Sequence, residues 1–360
     1  MSLHERLAAE IAAEGPISVA RYMSQCLHDP QFGYYATRPA LGEAGDFVTA
    51  PMISQMFGEL VGVWLASAWE LMSRPGQVRL VELGPGDGTL MADILGAIAV
   101  APGFAAATDV WLVETSEPLR AQQEARLGDQ ARWAAALDEV PGGAPLLLVA
   151  NELLDCLPAR QFVRTAIGWC EQRVGLDRFG ALAFARSPTP AAALLPDGPE
   201  GSIYEQSAAQ AALGAALGAR VVRDGGAALL IDYGRSAPGF GDTLQALSRH
   251  RKVDPLARPG EADLTVHADF PAVMAAAEGE GAGTAILTQG EFLARMGIGA
   301  RCEALVRARP DRAATLGRQL DRLVSGDQMG ALFKACVIHA PGWTPPAFEA
   351  LGEEFGGDAA

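Results

Sequence analysis

Residues 78–95, VRLVELGPGDGTLMADIL, change period in mid-course. The first six read as a mostly apolar strand. A turn, Gly84-Pro85-Gly86-Asp87-Gly88, follows, and from Thr89 the apolar residues return at helical spacing. A strand that feeds a helix through a tight glycine turn is the opening unit of an α/β sheet, and the unit recurs. DVWLVET (109–115) reads as a second strand and PLRAQQEARL (118–127) as a helix. ARWAAA (131–136) reads as a short third strand, PLLLVANEL (145–153) as a fourth and GAALLIDYG (226–234) as a fifth. The fourth is apolar throughout and begins at Pro145, as a strand covered on both faces should. Strands alternating with helices predict an α/β fold with a doubly wound, mainly parallel sheet.

The flanks of this core have other patterns. LHERLAAEIAAEG (3–15) has helical spacing and stops at Gly15-Pro16; PISVARYMSQCLHDP (16–30) offers Ser18 as an N-cap and ends before Pro30. Residues 31–55, rich in Gly and aromatics, read as an ordered loop, and residues 53–72 as an amphipathic helix facing a core. Between the fourth and fifth strands, 159–185 looks like short antiparallel strands, 187–201 like loop and 202–224 like helix. Residues 239–270 read as structured loop. Segments 283–298 and 332–340 contain strand and helix that could close the sheet, and 341–360 reads as a loose tail. The expected division is a helical cap with a cofactor-lid loop over 1–75, a core over 76–340 with an α+β insertion at about 160–225, and a tail over 341–360.

Composition narrows the classes. The net charge of −15 leaves no excess of Lys and Arg for a phosphate-binding surface, so no nucleic-acid partner is expected. The five cysteines are scattered and never form a CxxC pair, which predicts buried thiols in a reducing compartment and no metal site. The N-terminus lacks the apolar run of a signal peptide, and no segment is apolar enough to insert in a membrane. The expected location is cytoplasmic.

The glycine turn carries the chemistry. Gly84, Gly86 and Gly88 permit positive φ and close approach of a ligand, and amides at the following helix start favour its anionic end. The dinucleotide fingerprint is G-x-G-x-x-G/A, but here the third glycine comes one position early. Gly-x-Gly-x-Gly preceded by an acidic residue, Glu82, is the pattern of S-adenosylmethionine (SAM) methyltransferases. Such a turn would hold the amino-acid tail of SAM. Glu114, at the tip of the second strand, could accept ribose hydroxyls, which suits NAD and SAM equally. Asn151, Glu152 and Asp155 follow the fourth strand, at the edge where open α/β sheets bind ligands; they could equally be a helix start with its usual acidic residues.

Eight segments, GDFVTAPMISQMFGE, VELGPGDGTL, VANELLDCLP, LLIDYG, DTLQALSRH, DLTVHADF, TQGEFL and MGALFKACV, together resemble the MidA family of SAM-dependent methyltransferases. The resemblance runs from about Pro16 to His339, in order. Cys156 and Ala268 stand where the family pattern has alanine and valine. The resemblance implies a class I, Rossmann-like methyltransferase fold and methylation of a protein arginine. The mitochondrial members are assembly factors for respiratory complex I, which implies a peripheral-arm subunit of that complex as acceptor. A catalytically silent SAM-binding chaperone and a small-molecule methyltransferase are the alternatives. The oligomeric state stays open.

Methyl transfer is a displacement at a sulfonium methyl carbon, so alignment is the main task of the protein. An arginine acceptor presents a planar cationic fork, which a carboxylate can hold bidentately. Glu152 is the candidate for orienting the guanidinium. Asp155 is a second candidate, or else a capping or interface residue. His267 and Asp269 of DLTVHADF are candidates for removing the proton, in an arrangement that is also common in loops. Asp46 and Thr49 precede a helix in a glycine-rich segment that could fold over the cofactor; Thr49 and Pro51 could also simply start that helix.

Overall fold

A computed structural model describes residues 2–37, 49–192, 195–248 and 251–349. Two helices open the chain, α1 (Leu3–Glu14) and α2 (Val19–His28). Ser2 and Ser18 cap them, each side chain accepting the amide three residues on. After the turn Tyr34–Thr37 and residues 38–48, helix α3 (Gln55–Leu71) leads into the central sheet.

The sheet strands are β1 (Val78–Leu83), β2 (Thr108–Val113), β3 (Arg132–Ala134), β4 (Leu146–Asn151), β5 (Gly226–Arg235), β6 (Gly283–Thr288) and β7 (Phe333–His339). Their order is 3-2-1-4-5-7-6. The first five run parallel, with Leu80 beside both Val110 and Leu147. β7 is antiparallel to β5 and to β6. This is the doubly wound class I methyltransferase arrangement, in which the chain's last two strands close one edge.

Burial on both faces explains the apolar strands. On β4, Leu147 and Val149 join one core with Leu80, Leu112, Leu229 and Val337 under Phe57, Trp64 and Ile94. Leu146, Leu148 and Ala150 join the opposite core with Val81, Leu230 and Ile338 under Leu217, Val221, Phe270 and Val273. Each buried Leu, Val, Ile or Phe among them contributes roughly 1.5–3 kcal/mol over leaving it in water. Helices α3 and α4 (Thr89–Ile98) cover the first face. Helices α6 (Ala208–Asp224) and α7 (Phe270–Gly279) cover the second, while α5 (Glu117–Leu127) flanks β2. Two glycines let α6 and α7 touch: a Cβ on Gly214 would lie 2.3 Å from the Val273 carbonyl oxygen, and one on Gly218 2.7 Å from that of Ala277.

Three sequence expectations need correction. Residues 202–224 are not wholly helical: Ile203–Gln206 is a strand paired with Arg160–Thr165, in an antiparallel sheet that also holds Gly168–Leu176, Leu182–Arg186 and, from the N-terminus, Ile17–Ser18. The segment 239–270 is not all loop, because Gln245–Ser248 pairs with Arg251–Val253 and with Asp263–Thr265. These strands are too short to reveal a period of two. The tail does not loosen at 341, since the Trp64 indole N–H donates to the Pro346 carbonyl (3.0 Å) and Phe348 is buried against Phe292.

Candidate active site

A cavity of about 390 Å³ opens at the carboxyl ends of β1, β2 and β4. Its wall is built from Glu82 and the turn 84–87 with Thr89, the tip of β2 at Glu114 and Thr115, residues Asn151, Glu152, Leu153, Cys156 and Leu157 at and after the end of β4, and N-terminal residues including His28, Tyr35, Thr49 and Met52. Ala209 and Leu213 of α6 complete it.

The turn has the backbone its glycines predict. Gly84, Gly86 and Gly88 have φ of 63°, 55° and 81°. A Cβ on Gly84 would meet the Leu153 side chain at 2.9 Å, so the turn also packs closely on the loop after β4. Gly88 caps α4 and offers no side chain to its first amides. One of these, Thr89 N–H, is taken by Asp87, whose other oxygen pairs with Arg126 at 2.9 Å. The remaining amide ends suit an anionic group.

Four acidic groups line the cavity in different states. Glu82, at 2% exposure, is pushed up to about 8 by burial and then by the charge of Asp87; its Oε2 is buried with no hydrogen-bond partner. Glu114 is raised by burial, against the amide of Ser116 (2.7 Å) and the amide group of Gln123 (3.3 Å), which both donate to it. Gln123 also donates to the Gly86 carbonyl (2.7 Å) and accepts from the Trp133 indole, so it braces the turn against the β2 tip. Asp87 is the third. The fourth, Glu152, has a left-handed backbone, φ 52°, which is unfavourable for a residue with a side chain. Its Oε1 accepts from the Ala50 amide (3.2 Å) and the Asn151 side-chain amide (3.1 Å). Burial, then the charge of Asp155, pushes it up to about 7. Asn151 in turn leaves a buried Oδ1 without a partner.

A family model for S-adenosyl-L-methionine-dependent methyltransferases matches residues 60–288. The mitochondrial protein arginine methyltransferase NDUFAF7 of Danio rerio is 36% identical over 92% of this chain and 86% of its own; the human protein of that name is 35% identical over 91% and 81%. The chain is a member of the MidA methyltransferase family. The fold agrees: a protein from Burkholderia thailandensis, solved with S-adenosyl-homocysteine bound, superposes with a TM-score of 0.84 at 31% identity, covering 96% of this chain and 94% of that one. A native structure from the same organism gives 0.83.

SAM is therefore the cofactor of this MidA protein, and the residues fit it. Two orphaned acceptors, on Glu82 and Asn151, face a cavity whose turn offers amides. They complement a group that carries both a carboxylate and an ammonium. Glu82 and the turn would hold that end, and Glu114 the ribose. Bound SAM supplies a methyl group made electrophilic by its sulfonium.

Other expected site residues fall elsewhere. Thr49 lines the cavity and also stands at the start of the turn Ala50–Ile53, without a side-chain cap bond. Asp46 lies outside the described residues. Asp155 does not line the cavity: buried beneath the loop, its Oδ2 accepts from the Tyr233 hydroxyl (2.6 Å), and burial raises it to about 6. His267 and Asp269 are also absent from the wall. The ring of His267 stands edge-on to Tyr233, its backbone amide donates to Thr243, and burial lowers its pKa. Asp269 caps α7 and pairs with Arg235 at 2.5 Å. The cytoplasmic location is overturned, since the curated MidA relatives are labelled mitochondrial.

Sequence reasoning gave no site role to His28, Tyr35 or Asp232. His28 and Tyr35 sit on the wall with rings 5.9 Å apart, on an N-terminal stretch with no motif chemistry. Asp232 lies inside LLIDYG; a lone acid in an apolar strand was its only signal.

Among the described residues no group of His, Cys, Asp or Glu could hold a metal, and no helix is long and apolar enough to cross a membrane.

Proposed function

We propose that this protein methylates an arginine side chain of a protein substrate, with Glu152 as the carboxylate that receives the guanidinium. The observation that carries the reading is Glu152 itself, an acid on a left-handed backbone in the cavity wall, beyond the turn assigned to the cofactor. Its ionised side chain matches a planar cationic fork, and its low-dielectric surroundings strengthen the pairing. Met52, Leu157 and Leu213 add apolar wall for the stem of the acceptor. The names of the relatives support arginine over other acceptors. The resemblance to MidA proteins supports a peripheral-arm subunit of respiratory complex I as the acceptor protein, with methylation aiding its assembly. The N-terminal segment 1–75 serves as cap and lid in this reading, and α6 as the part of the insertion that reaches the acceptor.

Mass spectrometry of complex I subunits from the host, with and without this gene, tests the proposal. Methylarginine on a peripheral-arm subunit should vanish with the gene and return with the wild-type copy. An unchanged methylation pattern would contradict that acceptor.

A further inference from the structure

The loop that carries Glu152 is held by a buried acid that has no part in the cavity wall. Asp232 is 1% exposed, near the end of β5. Its Oδ2 accepts the amides of Leu154 (2.8 Å) and Asp155 (3.2 Å), and its Oδ1 accepts its own neighbour's amide, that of Tyr233 (2.8 Å). The residue before it, Ile231, accepts the Glu152 amide at 2.8 Å. Two successive residues of β5 thus grip the chain on either side of the point where it leaves β4. Between the two grips the backbone takes the left-handed turn at Glu152. Such a conformation persists only where the surroundings over-determine it.

We propose that Asp232 is a positioning residue that fixes the left-handed backbone of Glu152 and so aims its carboxylate into the cavity. This rests on the reading of Glu152 as the acceptor's partner. Burial, then the charges of Asp155 and Glu152, raise Asp232 well above the usual carboxylate range, and no ion pair among the described residues gives it a basic partner. What Asp232 does offer is two oxygens on which three amides converge, and two of those amides belong to the loop after β4. Removing the carboxylate orphans the Leu154 and Asp155 amides and frees the turn to relax toward ordinary φ. Glu152 Oε1 then leaves the Ala50 amide. Asp232 does not line the cavity, so its effect reaches the reaction through the loop that carries Glu152.

The test compares Asp232→Ala, the conservative Asp232→Asn and the control Tyr233→Phe, all in the full chain. Tyr233→Phe breaks the bond to Asp155 but keeps all three amides on Asp232. The first readout is hydrogen exchange of the Ala50 amide in the SAM complex, which needs no acceptor. It should accelerate at least tenfold in Asp232→Ala, less in Asp232→Asn, which keeps one acceptor oxygen, and not in Tyr233→Phe. SAM affinity by calorimetry should stay within threefold. The second readout is transfer of tritiated methyl from SAM into protein extract of a strain lacking this gene. The maximal rate should fall at least tenfold while the KM for SAM holds. If Asp232→Ala does not fold, Asp232→Asn carries the same comparison. Unchanged Ala50 exchange would overturn the proposal, as would a loss of SAM affinity parallel to the loss of rate. A wild-type protein that labels no extract protein counts instead against the arginine reading, and leaves the exchange result to decide on Asp232.

Discussion

Glu82 and Glu152 are both buried carboxylates on one cavity wall, yet they call for different tests. Glu82 is held up to about 8 from an ordinary 4.5 by burial. Below about 4.5 the folded and unfolded chains both keep this proton, so nothing is lost. As pH rises from there to about 8 the unfolded chain releases its proton first, and the ligand-free fold loses stability, by at most about 5 kcal/mol. Glu82→Gln should flatten that fall in urea unfolding curves measured between pH 5 and 8. An ammonium seated at Oε2 favours the ionised form, so SAM binding at pH 7 should expel a proton. Calorimetry in two buffers of different ionisation heat checks this, and a buffer-independent heat would count against Glu82 as the ammonium's partner. Glu152 should act ionised, so transfer should rise with pH through about 7. Asp155, whose charge helps hold Glu152 up, is the handle: Asp155→Asn should move the inflexion of the pH–rate profile to lower pH. A shift the other way would mean that Asp155 acts by holding the loop through Tyr233 instead.

At the scale of elements, the contact of α6 with α7 is the most sensitive joint. Gly214→Ala would place a methyl 2.3 Å from the Val273 carbonyl oxygen, and rigid backbone cannot yield as a side chain would. The expected cost is roughly 1–3 kcal/mol, read as a lower urea midpoint. An unaltered midpoint would show that the helices can part freely. The same elements show what the sequence can and cannot disclose. The central parallel strands were legible because burial on two faces leaves apolar runs such as Leu146–Ala150, while Thr108–Val113 and Arg132–Ala134, nearer the edge, were legible from their alternation with helices. The pairing of Ile17–Ser18 with Gly168–Leu176 was not, because two residues carry no period and their partner lies far along the chain. The strand Ile203–Gln206 was hidden by the helix that follows it directly. The backbone of the turn was legible in Gly84, Gly86 and Gly88, since positive φ leaves a signature in residue type. For Asp155 and Asp269 both readings stayed open, because an acid beyond a strand reads alike whether it faces a ligand or caps a loop; their partners Tyr233 and Arg235 are visible only in the structure.

Across the whole molecule, one cavity gathers the carboxyl ends of three parallel strands. In the proposed reading the turn after β1 and the tip of β2 hold the cofactor, and the loop after β4, held from β5, receives the acceptor. N-terminal residues His28, Tyr35, Thr49 and Met52 form part of the same wall. The division between cofactor and acceptor residues is the central claim, and Glu152→Gln tests it most directly, since size and shape are kept and only the charge is lost. SAM affinity should stay within about threefold, while methyl transfer falls by roughly two to four orders of magnitude. Loss of SAM affinity together with transfer would place Glu152 in the cofactor's shell, and an undiminished rate would contradict both its role and an arginine acceptor.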